Sequence, residues 1–124
     1  MSTVNPSGRT AVVTGASRGF GRAIATGLVA TGVHVVGVAR DEAALGDVQR
    51  ELGTSFTPFV ADVTEDGLAS RMIAEYRPNI LVLNAGATPN AATIQDQTWT
   101  TFSENWNVDV RHVFEFARAA LLAP

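Results

Sequence analysis

The chain has 124 residues, enough for one domain, and its hydrophobic fraction of 46% allows a packed core. A net charge of −3, with nine scattered arginines and no lysine, argues against a nucleic-acid surface and excludes lysine-based phosphate binding. The absence of cysteine excludes disulfides and thiolate sites, and no apolar run approaches the roughly 18 residues that cross a bilayer. We therefore expect a cytoplasmic protein without a membrane or nucleic-acid partner.

Strands and helices are predicted to alternate along almost the whole chain. Residues 1–8 are polar and contain Pro6, which indicates a flexible lead rather than a signal peptide. The predicted strands are short apolar or β-branched runs, and the predicted helices carry apolar residues at helical spacing. The strands cover residues 10–14, 33–39, 55–61 and 80–83, and the helices cover residues 21–31, 41–52, 64–76 and 99–122.

The ends of these elements carry local signals. Asp41 is expected to cap the second helix and Thr64 the third, because both precede an apolar-periodic segment. Pro58 favours an edge position for the third strand, since proline lacks the N–H that a central strand needs. Alternating strands and helices predict an α/β fold with a parallel sheet and right-handed crossovers.

The last predicted helix carries an apolar side that we expect to be buried. Its members are Phe102, Trp106, Val110, Val113, Phe114, Ala117 and Leu121. The aromatic residues of this segment are assigned to the core or to a subunit interface, and the sequence leaves both open. They are Trp99, Phe102, Trp106, Phe114 and Phe116.

The segment Thr14–Gly21 (TGASRGFG) follows a predicted strand and begins a predicted helix. Gly15 can make the turn off the strand, Gly19 lets a diphosphate approach the backbone, and Gly21 lets the helix lie close to the sheet. Free N–H groups at the start of the helix then face the phosphates, and Ser17 is expected to donate to them as well. The alternative is a glycine-rich turn that binds no ligand.

The G-x-x-x-G-x-G spacing resembles the first turn of the short-chain dehydrogenases/reductases, which is typically T-G-x-x-x-G-x-G. Two further motifs match that family in order: Asp62-Val63 after the third strand, where the family contacts adenine, and Asn84-Ala85-Gly86 after the fourth. Taken singly, Asp62 is also compatible with a helix cap and Asn84 with a turn. The resemblance covers Thr10 to Pro124 and implies a Rossmann-type, doubly wound parallel sheet of about four strands in the order 3-2-1-4 within domain 9–124.

The resemblance also implies a cofactor site and no metal site. The implied cofactor-binding residues are Gly15, Ser17, Arg18, Gly19, Phe20, Gly21, Arg40, Asp62, Val63, Asn84, Ala85 and Gly86. The two histidines, His34 and His112, share no ligand spacing with a carboxylate, which argues against a metal.

The end of the second strand bears on the choice of dinucleotide. An acid at this position binds the ribose hydroxyls of NAD and repels a 2′-phosphate, but here Ala39 is followed by Arg40. Arginine presents a planar, permanently charged fork to a phosphate, and Arg18 in the glycine loop is a second cation. We therefore expect NADP(H), with NAD(H) as the alternative cofactor. A purely solvated role for Arg40 stays open.

The family's reaction is hydride transfer between nicotinamide and a carbonyl or alcohol substrate, assisted by a tyrosine, a lysine and a serine. The only tyrosine, Tyr76, lies before the fourth strand, and no lysine is present. We therefore expect the chain to be the first half of a longer enzyme that continues past Pro124, inactive by itself. Where the family carries a catalytic asparagine, alignment of the long helix gives Asp109, with Asn107 as the alternative.

Two further expectations concern assembly and function. In the family the long helix commonly pairs with its copy, which implies a homo-oligomer. The competing hypothesis is a non-catalytic dinucleotide-binding or structural protein that truly ends at Pro124.

Overall fold

Four parallel strands form one sheet in the computed structural model, which describes residues 8–124. The strands are β1 (Thr10–Thr14), β2 (His34–Ala39), β3 (Phe56–Val60) and β4 (Ile80–Leu83), and their spatial order is β3-β2-β1-β4. The predicted order is confirmed, and Pro58 lies on an edge strand as expected. The predicted flexible lead, residues 1–8, falls outside the described residues except for Gly8.

The central strands are apolar on both sides, as a parallel sheet covered on both faces requires. In β1 and β2, Val12, Val13, Val35 and Val36 are all fully buried. Val12 pairs with Val36 on one side and with Leu81 on the other, which fixes the register of three adjacent strands.

Helices cover both faces of this sheet, so the doubly wound architecture is confirmed. The helices are α1 (Gly19–Ala30), α2 (Glu42–Leu52), α3 (Leu68–Tyr76), α4 (Trp99–Asn105) and α5 (Arg111–Leu122). One core contains Ala25, Leu45 and Val48 from α1 and α2, and the other contains Met72 and Phe116 from α3 and α5. None of the helices in the described part of the chain is long and apolar enough to cross a bilayer.

One of the two predicted caps is wrong. Asp41 does cap α2, because its Oδ1 accepts the N–H of Ala44 at 3.0 Å. Thr64 does not cap α3, which begins only at Leu68 after Gly67 in a left-handed conformation. Thr64 instead donates its backbone N–H and its hydroxyl to Oδ1 of Asp62. The chain then makes a further turn before α3 starts.

The last predicted helix is interrupted, and its predicted buried side is mostly exposed. A π-helical turn, Trp106–Val110, separates α4 from α5. Such a turn inserts a residue and rotates the following helix, which breaks the regular spacing on which the prediction depended. The exposed side chains are Trp99, Phe102, Trp106, Val110, Val113, Phe114 and Leu121.

The side of α4 and α5 that faces the sheet carries Ser103, His112 and Phe116. Of the aromatic residues assigned to the core or to an interface, Phe116 lies in the core. For the other four a place in the core is wrong, because they are 59–77% exposed. Their place in a subunit interface stays a prediction.

Candidate functional site

A cleft of about 810 Å³ lies at the carboxyl ends of the strands. The segments that follow β1, β2, β3 and β4 all contribute to its walls, and β1 and β4 are the strands between which the chain order switches. Ligands of open α/β sheets bind at such a crevice. The residues from the predicted cofactor set that line it are Gly15, Ser17, Arg18, Gly19, Phe20, Arg40, Asp62, Val63, Asn84, Ala85 and Gly86.

The glycine loop is shaped by contacts that leave no room for side chains. Gly15 has φ +67°, and a Cβ there would lie 2.9 Å from the Cα of Ala85. A Cβ on Gly21 would lie 2.0 Å from the carbonyl oxygen of Gly15, so the close approach involves the loop rather than the sheet. Gly21 is therefore behind the cleft and supports the loop from within.

The loop presents the beginning of α1 to the cleft. Within residues 8–124 no side chain caps this helix, and its first turn carries no acidic residue. The N–H groups and the helix dipole at this end attract anions. Gly19 has φ +58°, and a Cβ there would meet nothing within 4 Å, so the backbone is open to a ligand.

Two arginines line the cleft, Arg18 in the glycine loop and Arg40 directly after β2. Arg18 and Arg40 are exposed, and neither makes a salt bridge with the described residues. Ala39 ends β2, and the nearest acid in sequence, Asp41, is engaged as the cap of α2. Asp41 also lines the cleft, but its Oδ1 accepts the N–H of Ala44 at the start of α2.

Asp62 does not cap α3, which begins only at Leu68, so the helix-cap alternative is wrong and its contact with adenine stays a prediction. Its Oδ1 accepts the hydroxyl and the N–H of Thr64 at 2.7 and 2.9 Å, and its residue also lines the cleft. These hydrogen bonds, with a smaller contribution from the charge of Arg40, hold the pKa of Asp62 below its ordinary value, although partial burial opposes the shift. The carboxylate is therefore ionised at neutral pH.

The turn after β4 is bonded to the glycine loop. The N–H groups of Asn84 and Ala85 donate to Oγ1 of Thr14 at 2.9 and 3.0 Å. The side-chain amide of Asn84 donates to the carbonyl oxygen of Gly15 at 3.3 Å. Asn84 thus ties the segment after β4 to the glycine loop, and it also lines the cleft.

Asp109 and Asn105 hold the peptide groups next to that turn. Oδ1 of Asp109 accepts the N–H of Ala87 at 2.8 Å, and Nδ2 of Asn105 donates to the carbonyl of Ala87 at 2.7 Å. Asn107 is exposed, and within residues 8–124 its side-chain amide lies 3.5 Å from Oγ of Ser103. The structure therefore brings Asp109, and not Asn107, to the loop beside the cleft.

Sequence reasoning missed three residues of this region: Thr14, Asn105 and His112. Thr14 and His112 are buried and bonded to each other at 3.0 Å. Fully buried polar side chains require partners, but the sequence did not reveal that His112 is buried or that it is the partner of Thr14.

Tyr76 and His34 do not line the cleft. Burial, and then the neighbouring Glu75, raises the pKa of Tyr76, which packs edge-to-face on Phe59 at 6.0 Å. Burial lowers the pKa of His34, which is bonded to Thr57. Residues 8–124 contain no group of three side chains that could hold a metal ion.

Comparison with known proteins agrees with this geometry. The family model of the short chain dehydrogenases matches residues 9–123. The chain is 33% identical over 123 residues to the 3-oxoacyl-(acyl-carrier-protein) reductase of Salmonella typhimurium, which covers 94% of this chain and 49% of the relative.

Solved structures give the same result. A 3-oxoacyl (acyl-carrier-protein) reductase from Agrobacterium tumefaciens with NADP bound is similar with a TM-score of 0.80 and 32% identity, over 92% of this chain and 46% of that one. The L-sorbose reductase of Gluconobacter frateurii, complexed with NADPH and L-sorbose, has a TM-score of 0.80 and 29% identity, again over 92% and 46%. The chain spans about half the length of the proteins that it matches, and it belongs to the short-chain dehydrogenase/reductase family.

Proposed function

We propose that this chain is the cofactor-binding half of an NADP(H)-dependent oxidoreductase acting on a small carbonyl or alcohol substrate. The observation that carries the proposal is one cleft that contains both the start of α1 and two arginines. Within residues 8–124 no side chain caps this helix, and neither arginine forms a salt bridge. NADP(H) carries a diphosphate and a 2′-phosphate. The start of α1 would bind the diphosphate, and the arginines would bind the 2′-phosphate.

The diphosphate is assigned to the glycine loop. Gly15 and Gly21 allow the loop to fold tightly, and Gly19 keeps the entrance to α1 open. The N–H groups of the loop and the hydroxyl of Ser17 are the donors that would bind phosphate oxygens. Because the loop is tied to β2 by hydrogen bonds from Gly15 and Ala16 to the carbonyl of Val38, these donors are held before the ligand arrives.

The 2′-phosphate is assigned to Arg40 and Arg18. Both are exposed at the cleft, so binding a phosphate would break no salt bridge with residues 8–124. Asp62 and Val63 would border the adenine. NAD(H) has no 2′-phosphate for these arginines to bind. We therefore expect NAD(H) to bind more weakly than NADP(H).

The remaining groups are assigned to the opposite end of the cleft. The nicotinamide, when bound, would supply or accept a hydride, and the protein would orient it. Asn84, Ala85 and Gly86 would border this end, and Phe20 would cover it from the glycine loop. Asp109 would position this wall through Ala87. The carbonyl or alcohol substrate is inferred from the relatives named as reductases.

Arg40→Ala in the full-length protein tests the assignment. We expect the Kd for NADPH to rise about tenfold or more, as for the loss of a hydrogen bond to a charged group, while the Kd for NADH changes little. Arg50→Ala is the matched control, since Arg50 is exposed on α2 and paired with Asp47 outside the cleft. An unchanged preference for NADPH over NADH in Arg40→Ala would refute the role of this arginine.

A turnover assay separates an enzyme from a binding protein. The full-length protein is expected to oxidise NADPH in the presence of a carbonyl substrate from a panel of ketones and aldehydes, followed at the absorbance of the reduced nicotinamide. Tight NADPH binding without oxidation across the panel would favour the non-catalytic alternative.

A further inference from the structure

A short chain of hydrogen bonds connects α5 to the cleft through two buried side chains. His112 is 1% exposed and Thr14 is 0% exposed. Nδ1 of His112 lies 2.9 Å from the carbonyl oxygen of Val108, and Nε2 lies 3.0 Å from Oγ1 of Thr14. Neither His112 nor Thr14 lines the cleft, so any effect on a ligand passes through the groups that Thr14 binds.

The partners assign the proton on the imidazole. The carbonyl of Val108 can only accept, so Nδ1 donates, and Nε2 of the neutral ring is then an acceptor. The hydroxyl of Thr14 therefore donates to Nε2. Its oxygen keeps two lone pairs for the N–H groups of Asn84 and Ala85, which lie at 2.9 and 3.0 Å. In this arrangement the hydroxyl uses its one donor and both acceptor sites.

The direction of the Thr14 hydroxyl depends on His112. The only other acceptor near it within residues 8–124 is the carbonyl of Val82, at 3.5 Å, which is long for a hydroxyl donor. Without Nε2 the hydroxyl would turn toward Val82, and its lone pairs would turn away from Asn84 and Ala85. The turn after β4 would then lose its alignment with the strand that leads into the glycine loop.

We propose that His112 is a positioning residue for the end of the cleft opposite Arg40 and Asp62, where the proposed function places the nicotinamide. It orients the hydroxyl of Thr14, which holds the Asn84–Ala85 turn against the glycine loop. The two segments are so close that a Cβ on Gly15 would lie 2.9 Å from the Cα of Ala85. A small shift of the turn therefore alters this end of the cleft and leaves the Arg40 end unchanged.

Two substitutions of His112 in the full-length protein separate its two hydrogen bonds. His112→Gln puts an amide oxygen near the position of Nε2 and can still accept from Thr14. His112→Asn is shorter, and its amide can donate to Val108 without reaching Thr14. The Kd of each variant is measured for NADPH and for adenosine 2′-monophosphate, a fragment that lacks the diphosphate and the nicotinamide.

We expect His112→Asn to raise the Kd for NADPH about three- to tenfold, the range for one lost net hydrogen bond, and to leave the Kd for the fragment unchanged. His112→Gln should stay within about twofold of the wild type for both ligands, on the same basis. Equal losses in the two variants, or equal losses for the two ligands, would mean that the residue only fills space and would overturn the proposal.

A measurement on the wild type covers the case in which a variant does not fold. Nitrogen-15 NMR of the imidazole is expected to show the proton of neutral His112 on Nδ1, and a proton on Nε2 would overturn the proposal. If the wild type binds neither NADPH nor the fragment, the proposed function fails, and the NMR result still decides whether the hydrogen-bond chain exists.

Discussion

Asp109 in the π-helical turn accepts the N–H of Ala87 at 2.8 Å, so the segment after β4 is fastened to the long helix by a carboxylate. The carbonyl oxygen of Ala87, in the next peptide unit, accepts from Nδ2 of Asn105. An asparagine, which the resemblance to the family led us to expect at this position, could form the equivalent bond, because its amide oxygen also accepts. The bond explains how an aspartate fits at this position.

Asp109→Asn and Asp109→Ala test that role. The asparagine keeps an oxygen acceptor for Ala87, so we expect stability and NADPH affinity close to those of the wild type. The alanine leaves the N–H of Ala87 without its partner, and we expect it to lower the free energy of unfolding by about 1–2 kcal/mol. Urea unfolding and cofactor titration of both variants check this. If both substitutions had equal effects, the hydrogen bond would not be the reason for the residue.

Gly21→Ala tests the shape of the glycine loop. The added Cβ would lie 2.0 Å from the carbonyl oxygen of Gly15, so the loop must move. We expect a loss of stability of about 1–3 kcal/mol, as for overpacking, together with weaker NADPH binding. Thermal unfolding and titration measure both effects.

Gly27→Ala is the matched control on the same helix. A Cβ there would meet nothing within 4 Å, and the helix gains a better helix former. We expect stability to rise by about 0.5–1 kcal/mol with no change in cofactor affinity. A stabilised Gly21→Ala protein with normal affinity would contradict the close contact seen in the loop.

Asp62 makes stability dependent on pH in acid. Because its pKa in the folded protein is lowered from the ordinary 3.8, its contribution is complete above that pH and is lost as the pH falls below it. Asp62→Asn removes the titrating group. As the pH falls below 3.8, the free energy of unfolding of this variant should therefore decrease less steeply than that of the wild type.

Urea titrations at a series of acidic pH values measure the two slopes. Glu104→Gln, which changes an exposed carboxylate on α4, is the control and should keep the slope of the wild type. Identical slopes for Asp62→Asn and the wild type would show that the hydrogen bonds from Thr64 to Asp62 do not stabilise the folded protein.

The exposed aromatic side of α4 and α5 should make the 124-residue polypeptide self-associate, because exposed apolar patches of this kind favour contact with another surface. Phe102 and Trp106 are 59% and 67% exposed. Light scattering should give a mass above the 13.1 kDa of one chain, and the double change Phe102→Ser with Trp106→Ser should lower it.

Ile94→Ser is the control for this effect, since Ile94 is 75% exposed in a 3₁₀-helical turn before α4 and lies outside α4 and α5. It should leave the measured mass unchanged. A wild-type polypeptide that stays monomeric at high concentration would rule out association through this side.

The order of strands and helices was predictable because each strand is a short apolar run and each helix has its own spacing. The residue pairs Val12–Val36 and Val12–Leu81 were not predictable, because the order of the strands does not set their register. The residues along the cleft were also predictable, since the carboxyl ends of parallel strands meet at one edge of the sheet.

The orientation of the long helix was not predictable from hydrophobicity. Phe102 and Trp106 are more apolar than Ser103 and His112, yet the polar pair is buried. Two physical reasons account for this. The π-helical turn changes the angular spacing within the segment, and His112 is buried because Thr14 and Val108 satisfy both ring nitrogens. Both reasons depend on tertiary contacts.

The most direct test of the central claim is a calorimetric titration of the folded full-length protein with NADPH and with NADH. The free N–H groups at the start of α1 and the charges of Arg18 and Arg40 predict that both dinucleotides bind at one site and that NADPH binds more tightly. Absence of binding by either dinucleotide would contradict the assignment of this cleft to a nicotinamide cofactor.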